Sequence, residues 1–362
     1  MSRFDLTRHD LAEVLDGEPP YRVEQLWAGI HRLCREPVEL TELPTALRSR
    51  LQGDRRLALS WGVAGEVESD AGETVKWLLE AEDGARVETV LMHYPDRTTV
   101  CVSSQAGCAM GCSFCATGQL GFGRQLSVGE IVEQVARATR AADERGFGRL
   151  DHVVFMGMGE PLANPDRLFE AIRRLQGDLG IGSRSITVST VGVVPGIRRL
   201  AAEAPQVNLA VSLHAGNDEL RSSLVPLNER YPLGALLSAC EEYCEATHRR
   251  LSFEWALISG VNDRPSDARE LGAHARRLGA HVNLIPLNPT PGYLVAGSSK
   301  AAVRAFRDRL RELGVNVTVR DTRGQESDAA CGQLAAGLAP GVLRPGRRSH
   351  RSIEVATSPR LA

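Results

Sequence analysis

Residues 101–115 read CVSSQAGCAMGCSFC, four cysteines within one short stretch. The last three, Cys108, Cys112 and Cys115, are spaced C-x3-C-x2-C, with Phe114 ahead of the final thiol. Three thiolates this close, with one coordination position left over, suit an iron–sulfur cluster that keeps an iron open to a substrate. Structural zinc is the bland alternative. Such a site takes four protein ligands, commonly from two C-x2-C knuckles, and here there is one uneven triplet with no second knuckle nearby. Cys101, seven residues before the triplet, is an awkward reach for a fourth ligand.

The surroundings of this stretch narrow the class of protein. A chain of 362 residues can bury a large core, and about two domains is a fair expectation if one is a barrel. No run approaches the roughly 18 unbroken apolar residues of a membrane span. The charged opening Met1-Ser2-Arg3-Phe4-Asp5 lacks the apolar core of a secretory signal, so the expectation is a cytoplasmic protein with no membrane partner. Eight cysteines, four of them clustered, then read as metal or redox chemistry rather than a disulfide framework. A net charge of −2 gives no global sign of nucleic-acid binding, so any RNA contact has to be local. Lysine occurs only at Lys76 and Lys300; the other basic residues are arginine, which grips phosphate in bidentate fashion, a bias that genome composition explains equally well.

Outward from the cysteines, the hydrophobic pattern predicts two kinds of structure. Residues 1–97 read as a small accessory domain with short helices over Leu11–Leu15, Tyr21–Leu33 and Leu43–Leu51. A hairpin follows, Thr74–Glu80 against Val87–Met92, turning at Asp83-Gly84. From residue 98 strands alternate with helices. Apolar β-rich runs at Thr99–Ser103, His152–Met156, Ser185–Ser189, Val207–Leu213, Leu251–Leu257 and His281–Leu287 are separated by helix-length segments such as Val128–Ala142, Pro195–Glu203 and Asp267–Leu278. Six such units predict an α/β fold with a parallel sheet and right-handed crossovers. A last helix, Val303–Leu313, and a strand, Val315–Val319, lead into a loop carrying Cys331; residues 98–335 would make the core, and 336–362 a basic tail with four arginines between Arg344 and Arg351. Such a run is usually a solvated end.

The triplet with its aromatic resembles that of the radical S-adenosylmethionine enzymes. Further motifs, Cys101 to Cys108, Gly157-Met158-Gly159-Glu160-Pro161 and Asp328-Ala329-Ala330-Cys331-Gly332-Gln333-Leu334, resemble the RlmN family, adenine-C2 methyltransferases of ribosomal and transfer RNA, in the expected order from about Pro20 to Leu334. The resemblance implies a partial (βα)6 barrel, with chemistry at the carboxyl ends of its strands. It implies a [4Fe-4S] cluster held by Cys108, Cys112 and Cys115, whose open iron chelates S-adenosylmethionine. Gly159 and Glu160 would meet the methionine part, and Ser189, Ser212, Leu213, His214 and Asn288 the rest of the cofactor. The implied substrates are adenosine 2503 of 23S ribosomal RNA and adenosine 37 of transfer RNA, for a monomer fed by an electron donor such as flavodoxin. Two departures stand near the cofactor positions: Val191 where serine is usual, and Gly216 where proline is common.

The target atom explains the cofactors. Carbon 2 of adenine is an electron-poor C–H with no useful acidity, so methyl transfer to a nucleophile fails there and radical chemistry is required. The resemblance implies that Cys331 takes a methyl group from one S-adenosylmethionine, that a radical from a second abstracts hydrogen from it, and that the resulting carbon adds to adenine. Cys101 would then attack the Cys331 sulfur and release the product, leaving a disulfide for reduction. Glu88 matches the family's proton acceptor. By residue type alone Cys331 is more often a small buried hydrophobe, Glu88 an outward strand residue, and Ser189 and Asn288 ordinary strand-end polar groups. Cys240 and Cys244, four apart on a helix, read as packing, and Cys34 has no identified partner.

Two other functions fit parts of this pattern. The related adenine-C8 methyltransferase shares the machinery, but Ser104-Gln105-Ala106-Gly107, Pro161 and Thr322-Arg323-Gly324 favour carbon 2. A non-enzymatic iron–sulfur or zinc sensor would account for the triplet, but not for Gly159, Glu160 or Cys331.

Overall fold

The computed structural model describes residues 2–287 and 296–320. Twelve strands follow one another as β1 Gly62–Ser69, β2 Thr74–Glu80, β3 Arg86–Tyr94, β4 Arg97–Cys101, β5 Gln105–Gly107, β6 Phe122–Gln125, β7 His152–Phe155, β8 Ile186–Thr190, β9 Asn208–Ser212, β10 Ser252–Leu257, β11 His281–Pro286 and β12 Val317–Val319. Ten of them form one sheet in the order β1-β2-β3-β4-β7-β8-β9-β10-β11-β12, and β5 pairs with β6 separately. The pairs from β1 to β4 are antiparallel, and every pair from β4 to β12 is parallel. The six parallel strands expected from the pattern are all present, and β12 adds a seventh to the parallel run.

The register separates the two faces of this sheet. Val153, Ile186, Val188, Leu209, Val211, Phe253, Trp255, Val282 and Leu284 share one face and are at most 1% exposed, packed under the helices in the main hydrophobic core. The opposite face carries a row of paired residues, Lys76, Val90, Cys101, Val154, Thr187 and Asn208, and further rows with Ser189, Ser212, Glu254, Asn283 and Thr318. Parallel strands covered on both faces read as unbroken apolar runs. These alternate instead, which is the pattern of a sheet with helices on one side and a polar concave face on the other.

The amino-terminal segment closes against the first crossover helix, Val128–Glu144. Ser127 caps that helix in a capping box with Glu130, and the Asp5 carboxylate accepts from the Gly129 amide at 2.6 Å, a favourable place for negative charge. The buried Glu133 carboxylate accepts from the Ser2 hydroxyl and from the amides of Ser60 and Trp61. Trp27 is core: it stacks on His31 with centroids 4.0 Å apart and donates to Asp178 at 3.0 Å. The hairpin turns as expected, with Gly84 at a φ of 79°. β1 is an addition to the expected hairpin. Its residues are exposed or half-buried along their whole length, so it lacks the apolar alternation that marks a strand. Among the described residues no helix is long and apolar enough to cross a membrane.

Candidate active site

Of the residues singled out in the sequence, those that the structure describes gather at the carboxyl edge of the parallel strands. Cys101 ends β4, Glu160 follows β7, Ser189 is the penultimate residue of β8, Ser212 ends β9, and Leu213 and His214 come next. The cysteine loop leaves β5 at Gly107 and returns through a short helix, Ala116–Gln119, into β6. Gly118 lets this loop close: a Cβ there would lie 3.0 Å from the Cys112 carbonyl oxygen. Cys112 is buried, and Cys108 and Cys115 are half-buried.

Burial pushes the Cys108 thiol up to about 11. Burial, reinforced by the neighbouring Cys115 and Cys108 thiols, pushes Cys112 up further. Among the described residues no three His, Cys, Asp or Glu side chains converge tightly enough to clasp a metal ion. The chemistry of the donor set nonetheless fits a cluster: three thiols on one loop, which would become ligands as thiolates, releasing their protons to solvent as iron binds.

Glu160 is 3% exposed. Its carboxylate accepts from the amides of Val191 at 2.8 Å and Leu162 at 3.1 Å. Burial still pushes it up to about 7. A buried carboxylate in this state gains from a cation placed beside it, which is what the ammonium of S-adenosylmethionine would supply. Gly159 stands at a φ of 99°, and a Cβ on it would lie 2.5 Å from that of Gln105. The Gln105 side chain in turn accepts from the Glu160 amide at 2.7 Å, so glycine here fits both the turn and the close approach.

His214 is buried at a φ of 61°, a strained setting for a side chain with a Cβ. Its Nδ1 accepts from the Ala256 amide at 3.0 Å, and burial holds it neutral, down to about 3. Its ring meets Phe114 edge-on at 4.6 Å, which joins the cysteine loop to the end of β9. Leu213 is fully buried. The Ser189 and Ser212 hydroxyls lie 3.5 Å apart on the concave face. Val191 works through its backbone, donating to Glu160, so the unusual side chain leaves that contact intact.

Glu88 and Cys101 share the concave face. Val90 pairs with Cys101, which sets Glu88 diagonally beside that thiol on the neighbouring strand. Cys101 is 4% exposed but lies outside the hydrophobic core that contains its neighbours Val100 and Val102. Lys76 Nζ stands 3.1 Å from Glu88 Oε2 in a buried ion pair. The Ser103 hydroxyl donates to the Glu88 carbonyl at 2.6 Å and accepts from the Met158 amide at 2.9 Å. Gln134 buttresses this junction, accepting from the Ser103 amide and the Thr89 hydroxyl while donating to the Ser103 carbonyl. Sequence reading missed Lys76, Ser103 and Gln134 as site supports. The only signal for Lys76 was its rarity as a lysine. Cys240 and Cys34 lie in the core, with Cys244 packed against it. Asn288, Cys331 with its loop Asp328–Leu334, Thr322-Arg323-Gly324 and the tail 336–362 lie outside the described residues.

Comparison with known proteins defines the class. Residues 102–271 match the radical SAM superfamily. The fold matches the crystal structure of a radical SAM methyltransferase from Sphaerobacter thermophilus with a TM-score of 0.86 and 49% identity, over 92% of this chain and 98% of that one. A protein of Mycolicibacterium vanbaalenii is 52% identical over 328 residues, 88% of this chain and 90% of its own length. Another, from Salinispora tropica, is 51% identical over 349 residues, 94% of each. Both bear the name probable dual-specificity RNA methyltransferase RlmN. The chain belongs to the RlmN family of radical SAM proteins.

Proposed function

We propose that this chain methylates carbon 2 of adenosine in 23S ribosomal RNA, at the peptidyl-transferase centre, and in transfer RNA at position 37. The reading is carried by one observation: Glu88 and Cys101 share the concave face at the edge where the cysteine loop and Glu160 lie. Cys108, Cys112 and Cys115 would hold a [4Fe-4S] cluster, and Glu160, Gly159, Ser189, Ser212, Leu213, His214 and Asn288 would surround S-adenosylmethionine. When loaded, the pair supplies hydrogen-abstracting radical chemistry.

The protein's own residues then divide the work. The Cys331 thiolate takes a methyl group by displacement and presents it to the base. Glu88, its carboxylate paired with the Lys76 ammonium, accepts the proton lost from carbon 2. The Cys101 thiolate attacks the Cys331 sulfur; the sulfur–carbon bond breaks with its electron pair passing to the RNA carbon, which takes up a proton to become the methyl group, and the disulfide left behind is reduced by an external donor.

Mass spectrometry of ribosomal and transfer RNA from cells lacking this gene tests the proposal. Loss of 2-methyladenosine at both sites is expected. Loss of a carbon-8 methyl group instead would replace the proposal with the related activity, and unchanged RNA that still carries both marks would remove it.

A further inference from the structure

We propose that Arg221 is the electrostatic counter-group of the cysteine loop, a buried guanidinium that offsets the negative charge of an iron–sulfur cluster and raises its reduction potential. The inference rests on the cluster reading given above and assigns a task to a residue outside the motif set. Arg221 sits on the helix Asp218–Leu224, which follows β9 and packs against the cysteine loop. The carboxyl end of that helix and the residue after it, Leu224 and Val225, pack with Cys112 in a small hydrophobic cluster that also takes in Phe114 and Cys115. The Leu224 carbonyl accepts from the Ser113 amide at 3.1 Å, inside the loop. Arg221 is therefore one helical turn behind the backbone on which Cys112 rests.

The side chain is 1% exposed. Its Nε donates to the Leu213 carbonyl at 3.2 Å and Nη1 to the Asn228 side-chain oxygen at 2.8 Å, while Nη2 donates to the Val191 carbonyl. All three acceptors are neutral. Among the described residues no carboxylate lies within ion-pair distance of it, unlike Arg3, Arg124 and Arg140, which each face glutamates. Burial lowers Arg221 to about 10, and the largest influence acting against that loss comes from Cys112, ahead of Asp218 and Cys240. A buried cation satisfied by dipoles alone is costly unless an anion compensates it. Three thiolates binding iron would bring that negative charge to the loop, and one-electron reduction would deepen it. Net charge and hydrogen bonding around a cluster are what set its potential. The same fork ties the ends of β8 and β9, where Val191 meets Glu160 and Leu213 precedes His214, so the cation is held in place by the cofactor-facing loops themselves.

The test compares Arg221→Gln and Arg221→Lys with the parent after anaerobic reconstitution, following iron content and the midpoint potential by dye-coupled titration with paramagnetic resonance. At the parent's midpoint, the reduced-to-oxidised ratio of Arg221→Gln should fall about tenfold, equivalent to about 59 mV for a one-electron couple. Arg221→Lys, which keeps the charge but loses the three-way fork, should stay close to the parent's potential. Arg221→Gln with full iron and an unchanged potential would overturn the proposal. If Arg221→Gln does not fold, Arg221→Lys decides: a parent-like potential supports the charge role, and a tenfold shift in spite of the retained charge overturns it. A parent protein that takes up no iron would instead sink the cluster reading.

Discussion

The two faces of one sheet obey different rules. On the helix-covered face, neighbours in register such as Val188 and Leu209, or Trp255 and Leu284, are apolar and sealed. On the concave face the same strands present Cys101, Ser189, Ser212, Glu254 and Asn283, with Asn283 donating to Glu254 at 2.9 Å. Alternating side chains let a single strand serve both ends, stability through one face and chemistry through the other. A substitution should therefore be felt in stability or in turnover according to its face.

Cys101→Ala is the strongest challenge to that division. Turnover should fall at least about a thousandfold, as loss of a group acting in an essential step does, while stability changes by under about 1 kcal/mol. RNA should stay covalently attached to the protein through denaturing electrophoresis, and Cys101→Ala/Cys331→Ala should show no such adduct. Free turnover by the single variant would make Cys101 structural. Leu209→Ala, on the sealed face, should do the reverse. Its unfolding free energy should drop by about 3 kcal/mol in urea titration, with kcat of the folded fraction retained.

Buried His31 probes how the core handles charge. Both its ring nitrogens lack hydrogen-bond partners, and burial lowers it to about 3, with the Arg174, Arg8 and Arg3 guanidinium groups adding to the effect. The unfolded chain binds this proton below about pH 6.5 and the folded one does not, so stability is lost as pH falls from about 6.5 toward 3, by up to about 1.4 kcal/mol per pH unit. His31→Phe should flatten that slope in melts between pH 7.5 and 5.5, and an unchanged slope would assign the acid sensitivity elsewhere. The smallest effect belongs to Ser189→Ala. If Ser189 bonds S-adenosylmethionine as proposed, removing that neutral hydrogen bond is worth about 1 kcal/mol, or about a fivefold rise in KM for S-adenosylmethionine with the melting temperature unmoved. A lower melting temperature with KM intact would place Ser189 with the structural face.

What could be read beforehand followed the strength of the local signal. The strand runs from Thr99 to Leu287 were legible because each packs an apolar face under helices, and their bounds moved by only one or two residues. β1 was not, because Gly62, Gly65, Glu66 and Glu68 hold their place by backbone pairing with β2 rather than by burial. The same holds within the site. The cysteine triplet and Gly159-Glu160 are local patterns, while Lys76, Gln134 and Arg221 gain their meaning from burial and from partners distant in sequence. Lys76 is twelve residues from Glu88, Gln134 is thirty-one from Ser103, and Arg221 is thirty from Val191. A charged or amide side chain looks solvated until its neighbours are known.

The order of the strands has a consequence for how the chain comes into being. Along the ten-stranded sheet, position follows chain order without a reversal, from β1 at one edge to β12 at the other. Each strand of this sheet therefore pairs first with a segment already synthesised, and among the described residues no strand of it waits on one still within the ribosome. Domains fold as units from the amino terminus during translation, and nearby pairings close cheaper loops than distant ones. This sheet can grow by docking one βα unit at a time on a finished edge, so the protein that would modify the ribosome's RNA is laid out for stepwise assembly as it emerges from one.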